Sequence, residues 1–256
     1  MKLLRSMIVT FSLYSALPMP QIRWDEDSME YVFACLPLVG VALGALLWLW
    51  LRLCLFLSIG TLLRGAGAVV LSAALTGGIH LDGLCDACDA LGSHQSRERR
   101  LEILKDPHIG AFGVLGCVLY LLTQFAAWSE LSLTPRAMLL AALIPVVSRS
   151  WVAMGVLTRP NTRGSGLLAT FQRTGSLGVN RVAIGLWLTG STAVLLLGGG
   201  GGAWMALAGA LCYAYTVWRT HTEFGGLTGD LAGWTLCLLE LCQVVILAIV
   251  ERGSLA

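Results

Sequence analysis

The sequence predicts an all-α fold, a polytopic transmembrane bundle of about seven helices that forms one membrane domain over residues 1–256. Hydrophobic residues make up 56% of the chain and charged residues 12%, whereas about 25% charged residues is usual in soluble domains. The mean hydropathy of +0.76 points the same way. The expected surrounding is therefore the lipid bilayer. The net charge of +2 says nothing by itself about nucleic acid, and no nucleic-acid partner is expected.

Seven apolar segments predict the membrane spans, because about 20 apolar residues cross a bilayer. They make up the bundle of residues 34–250 and comprise residues 34–57, 65–79, 110–128, 137–157, 182–197, 203–218 and 231–250. Residues 1–33 come before them as a cytoplasmic or interfacial segment. Its first 17 residues predict a short amphipathic or re-entrant helix, which Pro18 and Pro20 end.

Three polar segments lie on the same side of such a bundle: residues 80–108, 158–181 and 219–230. They carry nearly all the arginines of the loops. The positive-inside rule therefore places them in the cytoplasm, with the N-terminus inside and the C-terminus outside. The expected location is the cell membrane, inner or plasma, with the loops of the site facing the cytoplasm.

Asp82, Asp86 and Asp89 are the strongest candidates for a functional site. Their spacing places three carboxylates on one face of a helix, within an arc of about 60°. Such carboxylates repel one another unless a cation lies among them, and hard oxygen ligands suit Mg²⁺, Mn²⁺ or Ca²⁺. Asp106, from the next helix, is a candidate for a further oxygen. The alternative interpretation is a solvated acidic face.

His80, Cys85 and Cys88 offer a second interpretation, a zinc site. A fourth soft ligand at a recognisable spacing is missing, and on a helix both cysteines would point away from the aspartates. The sequence therefore disfavours zinc. His80 is either an ordinary interfacial histidine or a residue that contacts the substrate or supports the cation ligands.

The loop of residues 158–181 contains four arginines and no acid. Arg163 is followed by Gly164-Ser165-Gly166, and a guanidinium beside flexible backbone suits phosphate oxygens. The loop also serves the topology of the chain. A glycine-rich stretch at residues 225–230 ends in Asp230 at a predicted helix start, where this acid either caps the helix or faces the cation.

Arg149 and Glu240 are charges inside predicted spans. Each lies about ten residues, or roughly 15 Å, from the cytoplasmic end of its helix. Equal depth makes a buried ion pair possible, and charges within a membrane are functional candidates by default. Both are candidate substrate-binding residues.

A cation on carboxylates, with arginines and glycine turns at a membrane surface, fits phosphoryl or nucleotidyl transfer. Two long motifs narrow this further: His80-Leu81-Asp82-Gly83-Leu84-x-Asp86-x-x-Asp89, and the stretch from Arg97 to Gly113 that contains Leu104-Lys105-Asp106. Together they closely resemble the signature of the cobalamin synthase family. Shorter matches extend the resemblance over most of the chain: Leu17-Pro18-Met19-Pro20, Pro37-Leu38-Val39-Gly40, Arg163-x-x-Gly166 and Leu227-Thr228-Gly229-Asp230.

The resemblance implies an integral membrane, Mg²⁺-dependent adenosylcobinamide-GDP ribazoletransferase, active late in coenzyme B12 assembly. Such an enzyme joins adenosylcobinamide-GDP to α-ribazole, or to its 5′-phosphate, and releases GMP. The implied metal ligands are Asp82, Asp86 and Asp89, with Asp106 nearby. The resemblance further implies that Lys105 and Arg163 hold phosphate and that Asp230 completes the site. The oligomeric state is left open, a homo-oligomer included.

Two other classes compete with this interpretation. A CDP-alcohol phosphotransferase shares helical aspartates and a nucleotide diphosphate, but its usual Ala-Arg after Asp-Gly is missing here. A cation transporter would use Arg149 and Glu240 in its pathway. The sequence shows no inverted repeat, and the arginine cluster would repel a cation.

Overall fold

A computed structural model describes residues 1–162 and 166–253 of the chain. This described part is built from helices and contains no strand. The helices are α1 (Lys2–Tyr14), α2 (Glu26–Met29), α3 (Val32–Phe56), α4 (Thr61–Thr76), α5 (Ile79–Gly92), α6 (Arg97–Ile103), α7 (Ala111–Glu130), α8 (Pro135–Thr158), α9 (Leu167–Thr174), α10 (Leu177–Leu197), α11 (Gly200–Phe224) and α12 (Gly229–Gly253). The predicted all-α, polytopic bundle is confirmed.

Within the described residues, five helices are long and apolar enough to cross a membrane: α3, α7, α8, α10 and α12. A sixth span arises if α4 and α5 are taken together, although these two helices meet at 95°. The number of spans is thus five or six where the sequence predicted about seven. The predicted span that this count leaves out is α11. Its 25 residues begin with glycines and end with polar side chains, which lower the mean hydropathy of the helix.

The outward face of α11 nevertheless has the character of a lipid-facing surface. Exposed apolar side chains recur along it every three or four residues, and they are Trp204, Leu207, Leu211, Tyr215 and Trp218. The two tryptophans are separated by about 21 Å along the helix. Aromatic residues at both ends of an apolar stripe are typical of membrane interfaces.

The turn between α4 and α5 gives the bundle its main irregularity. Gly77 and Gly78 both have positive φ angles, 62° and 76°, a conformation that glycine adopts without a steric penalty. Since the chain turns there, α5 leaves the direction of α4 and lies between α12 and α7. A Cβ atom on Gly83 would lie 2.7 Å from the backbone oxygen of Asp230, and one on Gly113 would lie 3.0 Å from that of Cys85. Glycines on both sides therefore allow α5 to lie close to its neighbours.

Two ion pairs join α8 and α12 at different heights. Arg149 Nη1 lies 2.7 Å from Glu240 Oε1, and Arg136 Nη2 lies 2.8 Å from Glu251 Oε1. The two glutamates are 11 residues apart on α12 and the two arginines 13 residues apart on α8, as expected for antiparallel helices. Most of α8 is buried, so these two helices form the centre of the bundle.

The N-terminal segment packs across the start of α3. Thr10 Oγ1 donates a hydrogen bond to the backbone oxygen of Val32 at 3.2 Å. The ring of Tyr14 stacks on His80 with 6.4 Å between ring centres. The predicted helix in residues 1–17 is present and ends at Tyr14, before the prolines.

Candidate active site

An open cleft of about 640 Å³ lies beside α5. Four residues that the sequence singled out line it: Asp82, Asp86, Lys105 and Asp106. The remaining wall comes from Leu104, Pro107 and Gly166. Gly166 belongs to the loop of residues 158–181, called the arginine loop. The cleft is therefore bounded by two of the three predicted polar segments. Arg163 lies outside the described residues.

The face that α5 turns to the cleft follows from its sequence. Asp82 and Asp86 are one turn apart and share a face. The face of α5 that meets the bundle is small and apolar, and its members Gly83, Leu84, Ala87 and Ala90 are buried. Burial of that face against the bundle directs the two carboxylates outward.

Asp89 has a different environment from Asp82 and Asp86. The backbone N–H groups of Gly110 and Gly113 donate hydrogen bonds to its two carboxylate oxygens, at 2.7 and 2.8 Å. These groups belong to the start of α7, whose unpaired N–H groups and helix dipole attract an anion. Asp89 therefore caps α7 in this structure.

The three carboxylates thus share a face of α5, as their spacing predicted, but Asp89 does not line the cleft. Among the described residues, no group of three or more His, Cys, Asp and Glu side chains is arranged to hold a metal ion. Asp82 and Asp86 line the cleft, whereas Asp89 accepts hydrogen bonds from the start of α7. Cys88, a candidate ligand in the zinc interpretation, faces α7, since a Cβ atom on Gly116 of that helix would collide with Cys88 Sγ.

Lys105 and Asp106 lie in the short loop after α6. The side chain of Leu104 is buried and holds the loop in place. Asp106 Oδ1 accepts a hydrogen bond from the backbone N–H of His108 at 3.0 Å and lies 2.7 Å from His108 Nδ1. The contacts with the His108 side chain and backbone keep the pKa of the exposed Asp106 carboxyl below its usual value. Asp106 is therefore anionic at neutral pH.

A partly buried network fixes α6 relative to α11. Arg100 of α6 and Arg219 of α11 both pair with Glu223. Ser96 caps α6 by accepting a hydrogen bond from the backbone N–H of Arg99 at 3.4 Å. The loop that carries Lys105 thus starts from a helix held at the surface of the bundle.

The glycine-rich stretch before α12 pairs with the arginine loop. The backbone N–H of Leu227 donates to Pro160, and that of Thr162 donates to Leu227. Thr228 is fully buried, and its hydroxyl accepts a hydrogen bond from the backbone N–H of Leu231 at 3.3 Å. Thr228 therefore caps α12, and Asp230 lies in the first turn rather than at the cap. The sequence contained no signal for this pairing of loops.

His80, Arg149 and Glu240 lie inside the bundle and not on the cleft. His80 is about 200° around α5 from Asp82, on the face that meets α12. Arg149 is fully buried, whereas 13% of the Glu240 side chain is exposed. His80 and Glu240 border a narrow cavity of about 40 Å³ between α3, α4, α5, α7, α8 and α12. The ion pair that equal depth suggested is present.

Comparison with known proteins gives a consistent result. The family model described as cobalamin-5-phosphate synthase matches residues 6–249. A protein of Lachnoclostridium phytofermentans is 35% identical over 252 residues, which cover 98% of this chain and 96% of the relative. One of Desulfitobacterium hafniense is 36% identical, with 93% and 94% covered. Both relatives bear the name adenosylcobinamide-GDP ribazoletransferase. No solved structure matches the chain.

Proposed function

The chain belongs to the cobalamin-5-phosphate synthase family, whose members are transferases of cobalamin biosynthesis, and from this premise we propose its reaction. It joins adenosylcobinamide-GDP to α-ribazole, or to α-ribazole 5′-phosphate, and releases GMP. The products are adenosylcobalamin, or its 5′-phosphate, and the nucleotide. Adenosylcobinamide-GDP and a ribazole group appear in the name that the relatives at 35% and 36% identity bear.

The cleft is the observation that carries the proposal. It brings the carboxylates of Asp82 and Asp86 together with the ammonium group of Lys105 in one open space of about 640 Å³. A diphosphate needs cationic partners on its oxygens. The mixture of acids and a base in a solvent-filled cleft therefore suits a diphosphate that arrives with a divalent cation.

Mg²⁺ fits the donors that line the cleft. It is usually bound by one or two carboxylates, several waters and substrate phosphates rather than by a complete cage of protein ligands. Asp82 and Asp86 would hold it, and Asp106 also lines the cleft. When bound, the ion neutralises charge that builds up on the phosphates. Asp89 already has two hydrogen bonds from α7 and supports the site through that helix.

The side chains of the protein chiefly position the two substrates. Lys105, with Arg163 from the arginine loop, would hold the phosphates of adenosylcobinamide-GDP. A hydroxyl oxygen of α-ribazole attacks the phosphorus on the cobinamide side, and the bond to the GMP oxygen breaks. The attacking hydroxyl loses its proton, and GMP leaves as an anion. In-line positioning and neutralisation are the main sources of rate enhancement in such transfers.

The membrane geometry suits this chemistry. The several apolar helices mark a multi-pass membrane protein, and the cleft lies on the side of the bundle that carries the arginine loop. That side would face the cytoplasm of the cell, where nucleotide substrates are found. The bulky corrinoid would then be bound at the surface of the bilayer.

The proposal is tested by GMP release from the purified protein in lipid nanodiscs. The expected result is release that requires adenosylcobinamide-GDP, α-ribazole 5′-phosphate and Mg²⁺ together. Omission of the acceptor controls for simple hydrolysis. Release of CMP from a CDP-alcohol, with no GMP from adenosylcobinamide-GDP, would contradict the proposal and favour the phospholipid enzyme.

A further inference from the structure

We propose that Arg149 and Glu240 are positioning residues that fix the cleft from inside the membrane. The inference rests on the proposed function, because the position that they control is that of Asp82 on α5. Neither residue lines the cleft. Their effect is transmitted through α12 and its contact with α5.

The ion pair fixes α12 against α8. Glu240 Oε1 accepts hydrogen bonds from Arg149 Nη1 at 2.7 Å and from Ser148 Oγ at 3.2 Å. Arg149 Nη1 also donates to the backbone oxygen of Pro145 at 3.1 Å. Two other nitrogens of the buried guanidinium, Nε and Nη2, have no hydrogen-bond partner among the described residues. Glu240 is thus the one acid with which Arg149 forms an ion pair there, and a shift of α12 would leave a charge unpaired in the membrane.

The contact between α12 and α5 is too close to allow independent movement. A Cβ atom on Gly233 would lie 3.3 Å from the backbone oxygen of His80. That same oxygen accepts a hydrogen bond from Cys237 Sγ at 3.4 Å. One turn further, Gly83 meets the backbone of Asp230. The first turn of α5, which contains Asp82, therefore follows the position of α12.

The distances suit transmission along one rigid helix. Glu240 lies ten residues from Asp230, or about 15 Å along α12. Cys237 and Gly233 lie between them on the same helix and contact the start of α5. A displacement at Glu240 would reach Asp82 through a continuous run of packed backbone.

The chain supplies a matched control in the second ion pair between the same helices. Arg136 and Glu251 join α8 and α12 near the opposite end, and the Glu251 side chain is 3% exposed. This pair also leaves a buried glutamate unpaired when its arginine is removed. It lies about 31 Å from Asp230 along α12, beyond the contact with α5. Breaking either ion pair would lower the stability of the protein. Only the Arg149–Glu240 pair, called the inner pair, would affect the position of the cleft.

The experiment compares Arg149→Met, Glu240→Gln, the double variant and Arg136→Met in lipid nanodiscs. Mn²⁺ affinity is measured from the electron paramagnetic resonance signal of the free ion, with no substrate present. The Mg²⁺ concentration for half-maximal GMP release is measured in parallel. Melting temperatures report stability separately. The double variant contains no unpaired charge, so it serves where the single variants fold poorly.

The variants of the inner pair are Arg149→Met, Glu240→Gln and the double variant. These inner variants are expected to weaken Mn²⁺ binding by about three- to thirtyfold, the range typical of coupling through packed residues. The Mg²⁺ requirement should rise in proportion. Arg136→Met should change both by less than about twofold despite its lower melting temperature. Inner variants that shift Mn²⁺ affinity no more than Arg136→Met, or a wild type that binds no Mn²⁺, would overturn the inference. A wild type that binds Mn²⁺ but releases no GMP would count against the proposed function alone, since the Mn²⁺ comparison would still decide the positioning role.

Discussion

The cleft and the Arg149–Glu240 pair both bring opposite charges together, but in opposite surroundings. In the cleft, Asp106 has a side chain that is 55% exposed, and water hydrates its charge. Arg149 is fully buried and depends on Glu240. Charges in water can exchange their partners for those of a ligand at little cost, whereas a buried pair cannot. The proposed roles follow this difference, with ligand binding at the cleft and structural support from the interior pair.

The comparison also explains why a charge within a membrane span need not contact substrate. The sequence singled out both regions, the aspartates by their helical spacing and Arg149 and Glu240 as charges inside spans. Only burial and the direction of each side chain separate them. Arg149 and Glu240, predicted as substrate-binding residues, form an ion pair inside the bundle and do not line the cleft.

The largest expected effect distinguishes the two regions by stability. Glu240→Gln leaves the Arg149 guanidinium buried without a countercharge, which costs about 3–5 kcal/mol in the free energy of unfolding. Asp82→Asn, on the exposed cleft, should leave that free energy nearly unchanged. Thermal unfolding in nanodiscs measures both. Equal melting temperatures for the two variants would contradict the assigned difference between the regions.

The second effect distinguishes them by activity. Asp82→Asn keeps the size of the side chain but removes an anionic oxygen from the cleft. GMP release should fall by about 100- to 1000-fold, since metal-ion stabilisation of charge contributes several kcal/mol. Steady-state rates over a range of Mg²⁺ concentrations check this. An Asp82→Asn variant with wild-type rates would remove Asp82 from the mechanism, and membrane insertion of the variant serves as the control.

A smaller effect is expected at Asp89, which belongs neither to the cleft nor to the buried ion pair but caps α7. Asp89→Asn retains one acceptor oxygen for α7 but loses the charge. The cost should be about 0.5–2 kcal/mol of stability, as for a lost helix cap. The loss of activity should be well below that of Asp82→Asn. An equal loss in the two variants, at unchanged melting temperature, would show that Asp89 binds the metal directly.

The smallest effect concerns the exposed contacts of the N-terminal segment and their dependence on pH. The hydrogen bond from Arg5 lowers the pKa of Asp25, and the backbone of Ser28 adds to it. A lowered carboxyl pKa in the folded state gives stability that is present above the unfolded pKa and is lost as pH falls through the folded one. Melting temperatures below about pH 4 should therefore fall slightly less in Asp25→Asn than in wild type. An identical pH profile would show that the contact contributes nothing.

Periodicity and depth in the sequence were enough to predict part of the site. Asp82 and Asp86 share a face of α5 because they are four residues apart, and Arg149 meets Glu240 because their depths match. The remaining features depend on tertiary packing. Asp89 turns to α7 because that helix starts beside it, and no local pattern specifies where two helices meet. The pairing of Leu227 with Pro160 and Thr162 likewise joins segments far apart in sequence.

The number of spans shows the same limit. Composition predicted separate segments at residues 65–79 and 203–218. The sharp turn at Gly77 and Gly78 joins the first to α5 at 95°. The sequence prediction placed both glycines inside a span, but α4 ends at Thr76, and the angle between two helices is decided by what each of them packs against. Here α5 is held between α7 and α12, so the chain bends rather than continues.

The proposed location of the metal is tested most directly by replacing Mg²⁺ with Fe²⁺ and adding ascorbate and peroxide. Hydroxyl radicals formed at the bound iron cut the nearest backbone, and mass spectrometry identifies the cuts. We expect cleavage around residues 82–86 and 104–107, suppressed by excess Mg²⁺ and absent in Asp82→Asn. Cuts confined to the interior around Glu240, or cuts that Asp82→Asn leaves unchanged, would contradict the assignment of the cleft as the place where metal and diphosphate meet.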